Sequence, residues 1–288
     1  MLLIVVIITI VAWTGYLFIP ERYDYGALWN MYLCEPNNTI DTIIIGSSLA
    51  YCDVMPSVID EITGERSYVL AAPELTAALS YYYVVEALKT QSPDLIVIEV
   101  TSLLWGKYAG YSKIDVGYMP FGLNRVKATL DAAEKEQRFG LFVPIYNYHD
   151  RWQYVNPIKY IIGRSDSKID INAGYTYLDE SVEQNEIKDR NYDISDTEFE
   201  ENLKYLDDII NFCRLKNVQV QLFVAPQCYY PDKEHIDMIR QRFSDIKLID
   251  YNDQFDALDL DMKVDFFDFM HLNCFGAEKF SKILATNL

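Results

Sequence analysis

Histidine is scarce in this sequence, with three in 288 residues, and no His or Cys pair stands at a spacing that suits a transition metal. Positive charge is also short: 25 Lys and Arg against 43 Asp and Glu give a net charge of −18. A surface of that sign repels a phosphate backbone, so nucleic acid is not an expected partner. The five cysteines (Cys34, Cys52, Cys213, Cys228 and Cys274) are odd in number and lack a CxxC pair, which argues against a disulfide framework. Most are expected to be small buried residues, with one bridge left open. No internal repeat and no low-complexity stretch is present. What remains is an ordinary globular balance, half apolar and a quarter charged, long enough for one sizeable core or two small ones. No residue pattern calls for a cofactor.

The first twenty residues, MLLIVVIITIVAWTGYLFIP, carry no charge before Glu21. An apolar run of that length in helical form spans the ~30 Å hydrocarbon core of a bilayer. Trp13 and Tyr16 stand toward its far end, where interfacial aromatics collect. A single-pass anchor over 1–20 is therefore expected, with an extracytoplasmic body. A cleaved signal peptide is the alternative, disfavoured by the length of the run and the lack of a small-x-small site. A buried core helix is a third. Residues 21–41 read as a juxtamembrane connection.

From Thr42 the chain alternates. Thr42 to Gly46 is a β-branched run of the kind buried on both faces of a parallel sheet. Pro56 to Ile62 reads as a helix stopped by Gly64, Ser67 to Ala72 as a strand, Leu75 to Lys89 as a helix, and Asp94 to Ser102 as a third strand. Residues 103–195 break the pattern and read as an insertion covering one end of the sheet, with a helical piece over Arg125 to Arg138. Helices over Thr197 to Lys216, Lys233 to Phe243 and Phe275 to Leu288, with strands over Val218 to Pro226 and Ile246 to Asp250, complete 42–288. The order implies βαβ units: an α/β fold, a flavodoxin-like three-layer sandwich with a central, mostly parallel sheet.

Two places hold residues suited to chemistry. Ser48 ends Gly46-Ser47-Ser48 at the carboxyl end of the first strand, where an open α/β sheet binds ligands. A small-residue turn there lets a hydroxyl project and lets backbone N–H groups face an oxyanion; equally, small residues serve any tight strand-to-helix turn. Asp268 and His271 stand three apart, sharing a face if the segment is a helical turn. The carboxylate can then orient the imidazole as a base for a serine; a plain N-cap pair before the last helix is the alternative. Asp265, Asp268 and His271 could also be read as metal ligands, but the donor set is thin for a hard ion and no metal is expected. In the insertion, Tyr148-His149-Asp150-Arg151-Trp152 offers His149, Arg151 and Trp152 as candidates for holding a sugar ring, though a structural knot is the favoured reading.

Together, Gly46-Ser47-Ser48 and Asp268-x-x-His271 before a final helix resemble the SGNH/GDSL hydrolase superfamily. The end segment HLNCFGAEKFSKIL resembles its membrane-anchored DltD-like and alginate-acetylation branch. The resemblance implies Ser48 as nucleophile, His271 as base and Asp268 as its orienter, with Ser47 where the family usually has Asp. It implies a serine esterase or O-acyltransferase acting on a cell-envelope polysaccharide or other polymer, with a membrane O-acyltransferase as a possible partner. The sequence departs from the family at its second and third blocks, Ala71-Ala72-Pro73 and Glu99-Val100-Thr101-Ser102, which lack the usual Gly and Asn. The oxyanion candidates are then Ser48, Ala72, Thr101 and Ser102. A non-catalytic glycan-binding or docking module is the second reading, and a phosphodiesterase on the same framework the third.

Overall fold

The computed structural model describes residues 29–107, 111–154, 170–189, 194–229, 232–252 and 254–288, with isolated positions 3, 6, 10, 14, 15, 18 and 19. The expected anchor lies mainly outside these. Among the described residues no helix is long and apolar enough to cross a membrane. The described part of the 21–41 connection is packed into the body. Trp29 and Tyr32 are fully buried, the Trp29 ring meets Tyr83 edge-on with centroids 5.0 Å apart, and the Tyr32 hydroxyl donates to the Ala87 carbonyl at 3.2 Å.

Five strands form one sheet: β1 (Thr42–Gly46), β2 (Ser67–Ala71), β3 (Leu95–Glu99), β4 (Gln219–Val224) and β5 (Leu248–Asp250). Their order is β2-β1-β3-β4-β5 and every pairing is parallel. Strand side chains alternate between two cores, as a two-residue period requires. Ile43, Ile45, Tyr68, Leu70, Ile96, Ile98, Leu222 and Val224 face one core. Ile44, Val69, Ala71, Val97 and Phe223 face the other. The first core is closed by α3 (Ala77–Ala87) and α7 (Asp196–Leu215), the second by α2 (Pro56–Thr63) and α9 (Cys274–Ala285). The chain is thus an α/β fold with helices on both faces of a parallel sheet.

Two element bounds differ from expectation for local reasons. The strand expected to run to Ser102 stops at Glu99, because the Glu99 carboxylate folds back to accept the Thr101 N–H at 3.0 Å and opens a 3-10 turn over Thr101–Leu104. The helix expected over Arg125 to Arg138 is two: α4 (Leu123–Asp131) and α5 (Lys135–Phe142), followed by α6 (Pro144–Tyr148). The break is a buried corner at Ala132 and Ala133, whose N–H groups both return to the Ala128 carbonyl at 2.9 and 3.2 Å.

Residues 170–189 run from the edge of the sheet over the segments that follow β1 and β4. The Ala173 carbonyl accepts from Val69 on the edge strand β2 at 2.8 Å, which blunts an otherwise open edge. The segment then runs on as a strap: Thr176 N–H donates to Tyr51 at 2.7 Å, Leu178 accepts from Cys274 at 2.7 Å, Val182 donates to Phe266 at 3.0 Å and Lys188 to Cys228 at 3.0 Å. Every one of those partners flanks Ser48, the His271 segment or the end of β4.

The end of β1 tolerates no side chain. A Cβ on Gly46 would stand 2.7 Å from the Glu99 Cβ and 2.9 Å from the Ala50 Cβ, both held close to the main chain. Gly46→Ala is expected to cost about 1–3 kcal/mol through overpacking. Denaturant unfolding at fixed pH checks this; a change within about 0.5 kcal/mol, the usual effect of a surface substitution, would mean that the contact yields freely.

Candidate active site

β1 and β3 leave the sheet in opposite directions of strand order, β1 toward β2 and β3 toward β4, so a crevice opens between their carboxyl ends. Ser47 caps α1 (Ser48–Tyr51), its hydroxyl accepting the Leu49 N–H at 3.3 Å. Ser48 is the first helical residue and is half-buried. Its N–H therefore has no helical acceptor, and none is found among the described residues.

His271 reaches the same point from the other end of the chain. Its Nε2 stands 2.8 Å from Ser48 Oγ, and its Nδ1 stands 2.9 and 3.1 Å from the two Asp268 carboxylate oxygens. Asp268 Oδ1 also accepts the backbone N–H groups of Met270 at 2.7 Å and His271 at 2.8 Å. The segment is not the helical turn expected from the three-residue spacing. Phe266 and Leu272 form an antiparallel bridge and Phe267 donates to the His271 carbonyl at 2.9 Å, so 267–271 is a tight loop closed by the Asp268 side chain. An Asx-type loop and a helical turn both bring residues i and i+3 together. Burial raises the pKa of Asp268, but the His271 imidazole and the two N–H donors outweigh it and hold the carboxyl below its usual value. It is a carboxylate at neutral pH, so Nδ1 is the protonated nitrogen facing it and Nε2 is left to accept from Ser48. The cap of the last helix is Asn273, whose side chain accepts from Phe275 and Gly276, both at 3.1 Å. Asp265 turns away to Lys279 at 2.8 Å, so it does not join Asp268 and His271 as a ligand set.

No family model matches the chain, and no curated protein matches it. Among solved structures it is similar to a Bacteroides fragilis protein assigned as an acylhydrolase, at 11% identity and a TM-score of 0.42, over 94% of this chain and 95% of that one. A likeness that distant carries no argument about activity.

The oxyanion candidates fare unequally. The Ser48 N–H is available. The Ala72 N–H donates to the Gly46 carbonyl at 3.3 Å, continuing the β1–β2 pairing. Both the N–H and the hydroxyl of Thr101 go to Glu99. Ser102 is buried beside Ala77, Ile98, Leu206 and Ile209, under the helical layer. The insertion candidates are likewise not brought to Ser48 by any hydrogen bond: His149 is exposed with Nδ1 3.1 Å from the Tyr146 carbonyl, and Arg151 donates to the Phe18 carbonyl at 3.1 Å. The side chain of Trp152 lies outside the described residues. All five cysteines are free thiols, four of them buried.

One residue that the sequence reading passed over holds the two halves together. Asp53 lies five residues after Ser48, is fully buried, and accepts the Leu272 N–H at 2.9 Å. That bond ties the residue after His271 to the segment that follows the helix carrying Ser48. Its other oxygen has no protein partner among the described residues. Burial pushes the Asp53 carboxyl well above its ordinary range; the Leu272 N–H pulls it down, and the Asp268 and Glu99 carboxylates push it up again. The only sequence signal is a lone carboxylate in an otherwise apolar stretch from Leu49 to Val54.

A raised carboxyl binds its proton in the folded chain at pH values where the unfolded chain has lost it. Stability from this group is therefore full below the unfolded pKa, about 3.9, and declines as pH rises toward the folded value. Asp53→Asn keeps an acceptor for Leu272 and cannot ionise. Its stability relative to the unsubstituted protein is expected to improve steadily from about pH 4 upward. Denaturant melts of both proteins across that range measure it; a constant difference would show that Asp53 is not held neutral.

Proposed function

We propose that the protein is an extracytoplasmic serine esterase or O-acyltransferase that works through an acyl-enzyme on a cell-envelope polysaccharide or related polymer. The observation that carries the chemical part is the continuous series Ser48 Oγ, His271 Nε2, His271 Nδ1, Asp268 carboxylate, with contacts of 2.8 and 2.9 Å. In that series His271 Nε2 removes the Ser48 proton as Oγ bonds to the acyl carbon. The Ser48 N–H faces the oxygen that becomes negative. The imidazolium, stabilised by Asp268, returns its proton to the departing alkoxide or thiolate and leaves the acyl group on Ser48. Water or a polymer hydroxyl, deprotonated by the same nitrogen, then takes the acyl group. The polymer, the membrane anchor and a membrane O-acyltransferase partner rest on the sequence resemblance and on the apolar run over 1–20.

The thin oxyanion site favours one second reading, an SGNH-like module that binds a glycan or docks a membrane partner without turning anything over. Among the described residues the Ala72 N–H and both Thr101 donors are engaged and Ser102 lies under the helical layer, which leaves the Ser48 N–H, and loss of one donor costs roughly 10²–10³ in rate where it has been measured. A fluorophosphonate separates the two readings, because it needs an activated serine and no natural substrate. The unsubstituted protein is expected to be labelled and Ser48→Ala to be blank. Asp268→Asn should label more slowly by roughly 10³–10⁴, because an amide in place of the carboxylate favours the wrong tautomer. Equal labelling of all three proteins, or none of any, would remove the nucleophile assignment.

A further inference from the structure

The insertion contains a helix that is packed the wrong way round for a soluble surface. On α4 the inward residues are Asn124, Arg125, Ala128 and Thr129, while Leu123 and Leu130 point outward at 82% and 54% exposure. The buried polar groups are bonded. The Asn124 amide donates to the Tyr82 carbonyl at 2.8 Å and the Glu86 carboxylate at 2.9 Å. Arg125 donates to the carbonyls of Met119 and Leu141 at 3.0 and 3.2 Å. The outward row Leu123, Lys127, Leu130 has the i, i+4, i+7 spacing of a single helix face. Next to it, α5 and α6 expose Phe139 and Tyr146, whose rings stack edge-on with centroids 5.1 Å apart. Gly140 lets those two helices close, since a Cβ there would stand 2.1 Å from the Asn147 amide oxygen.

Two further facts say what such a face meets. Residues 103–151 hold seven basic and five acidic residues, in a chain with 25 and 43. This first part of the insertion is therefore slightly basic in an acidic protein, and Lys127 and Lys135 on its outer side are exposed. The N-terminal segment also ends against it. A Cβ on Gly15 would stand 3.0 Å from the Ile145 N and 3.3 Å from the Pro144 Cδ, and Arg151 holds the Phe18 carbonyl at 3.1 Å. The described positions before Gly15 that are apolar, Leu3, Val6 and Ile10, are helical and exposed.

We infer that the outer face of α4, α5 and α6 is a membrane-seating platform that rests on an anionic phospholipid surface beside the point where the N-terminal helix leaves it. The inference rests on the anchor reading of 1–20. An apolar face with interspersed lysines is the composition of a helix lying in the headgroup boundary. A second copy fits less well, because a two-fold contact would set Lys127 and Lys135 against themselves.

The test uses the full chain in vesicles of phosphatidylglycerol and phosphatidylcholine, with Cys34→Ser to remove the one cysteine that is not buried. Leu123→Cys and Leu130→Cys each carry an environment-sensitive fluorophore, and Leu215→Cys, exposed on α7, is the reference. With spin-labelled acyl chains as quencher, positions 123 and 130 are expected to be quenched at least about twofold more than 215, as a face buried ~5–10 Å into the boundary requires. If the protein floats with the vesicles but all three positions quench alike, the platform is wrong and the anchor stands. If it does not float, both fall. Shielding of position 123 that follows protein concentration and ignores the lipid quencher would assign the face to a second copy instead.

Discussion

Ser48 and His271 are 223 residues apart in sequence and 2.8 Å apart in space, and one buried carboxyl fixes that distance. Asp53 belongs to the segment that leaves α1, and it grips the N–H immediately after His271. Around it, the Met55 N–H donates to the Ser281 hydroxyl at 2.8 Å, and α2 packs on α9 within the same core as Phe223 and Phe280. Ser48 is set by the strand before it, but His271 is set by a loop, and loops move more than strands. A bond from the segment after Ser48 to that loop makes the two move as one unit. The cost is a desolvated acid, whose carboxyl burial pushes well above its ordinary range.

The same crowding limits the oxyanion site. Gly46 brings β1 against β3 so closely that the Glu99 side chain lies beside the Ser48 turn. Buried there, Glu99 takes both donors of Thr101. The features that make the Ser48 turn rigid thus also draw neighbouring donors into the scaffold. On the proposed acyl chemistry, a site so built suits a substrate that brings its own polarisation, such as a thioester or an activated ester, better than a simple amide. The N–H of Ser48 then has less charge to stabilise.

How much of this was legible in the sequence depends on the range of the interaction. The strands from Thr42, Ser67, Leu95 and Gln219 could be read because continuous β-branched runs are local signals, and their alternation with helices implied the parallel sheet. Ser48, Asp268 and His271 could be read because residue type and chain position narrowed the choices. The loop geometry at 267–271 could not, since a spacing of three fits a helical turn and an Asx loop equally. Whether the Ala72 N–H is free depends on the register of a partner strand that begins 25 residues earlier, at Thr42 for Ser67. Asp53 was invisible for the same reason at longer range: its partner lies 219 residues on. Backbone donors carry no residue identity, so sequence cannot say which ones the fold has already engaged.

Charge distribution links the platform to the chemistry. A body with a large acidic excess is repelled by an anionic membrane, and a lone flexible tether would leave it to swing away from the surface. On the proposed seating the exposed Lys127 and Lys135 supply local attraction, and the protein is held at two points, the N-terminal helix and α4 to α6. Two attachments fix an orientation where one fixes only a distance. An acyl group arriving from within the membrane would then meet Ser48 at a constant height and angle. For transfer onto a polymer hydroxyl, rather than loss to water, this positioning matters as much as the triad itself.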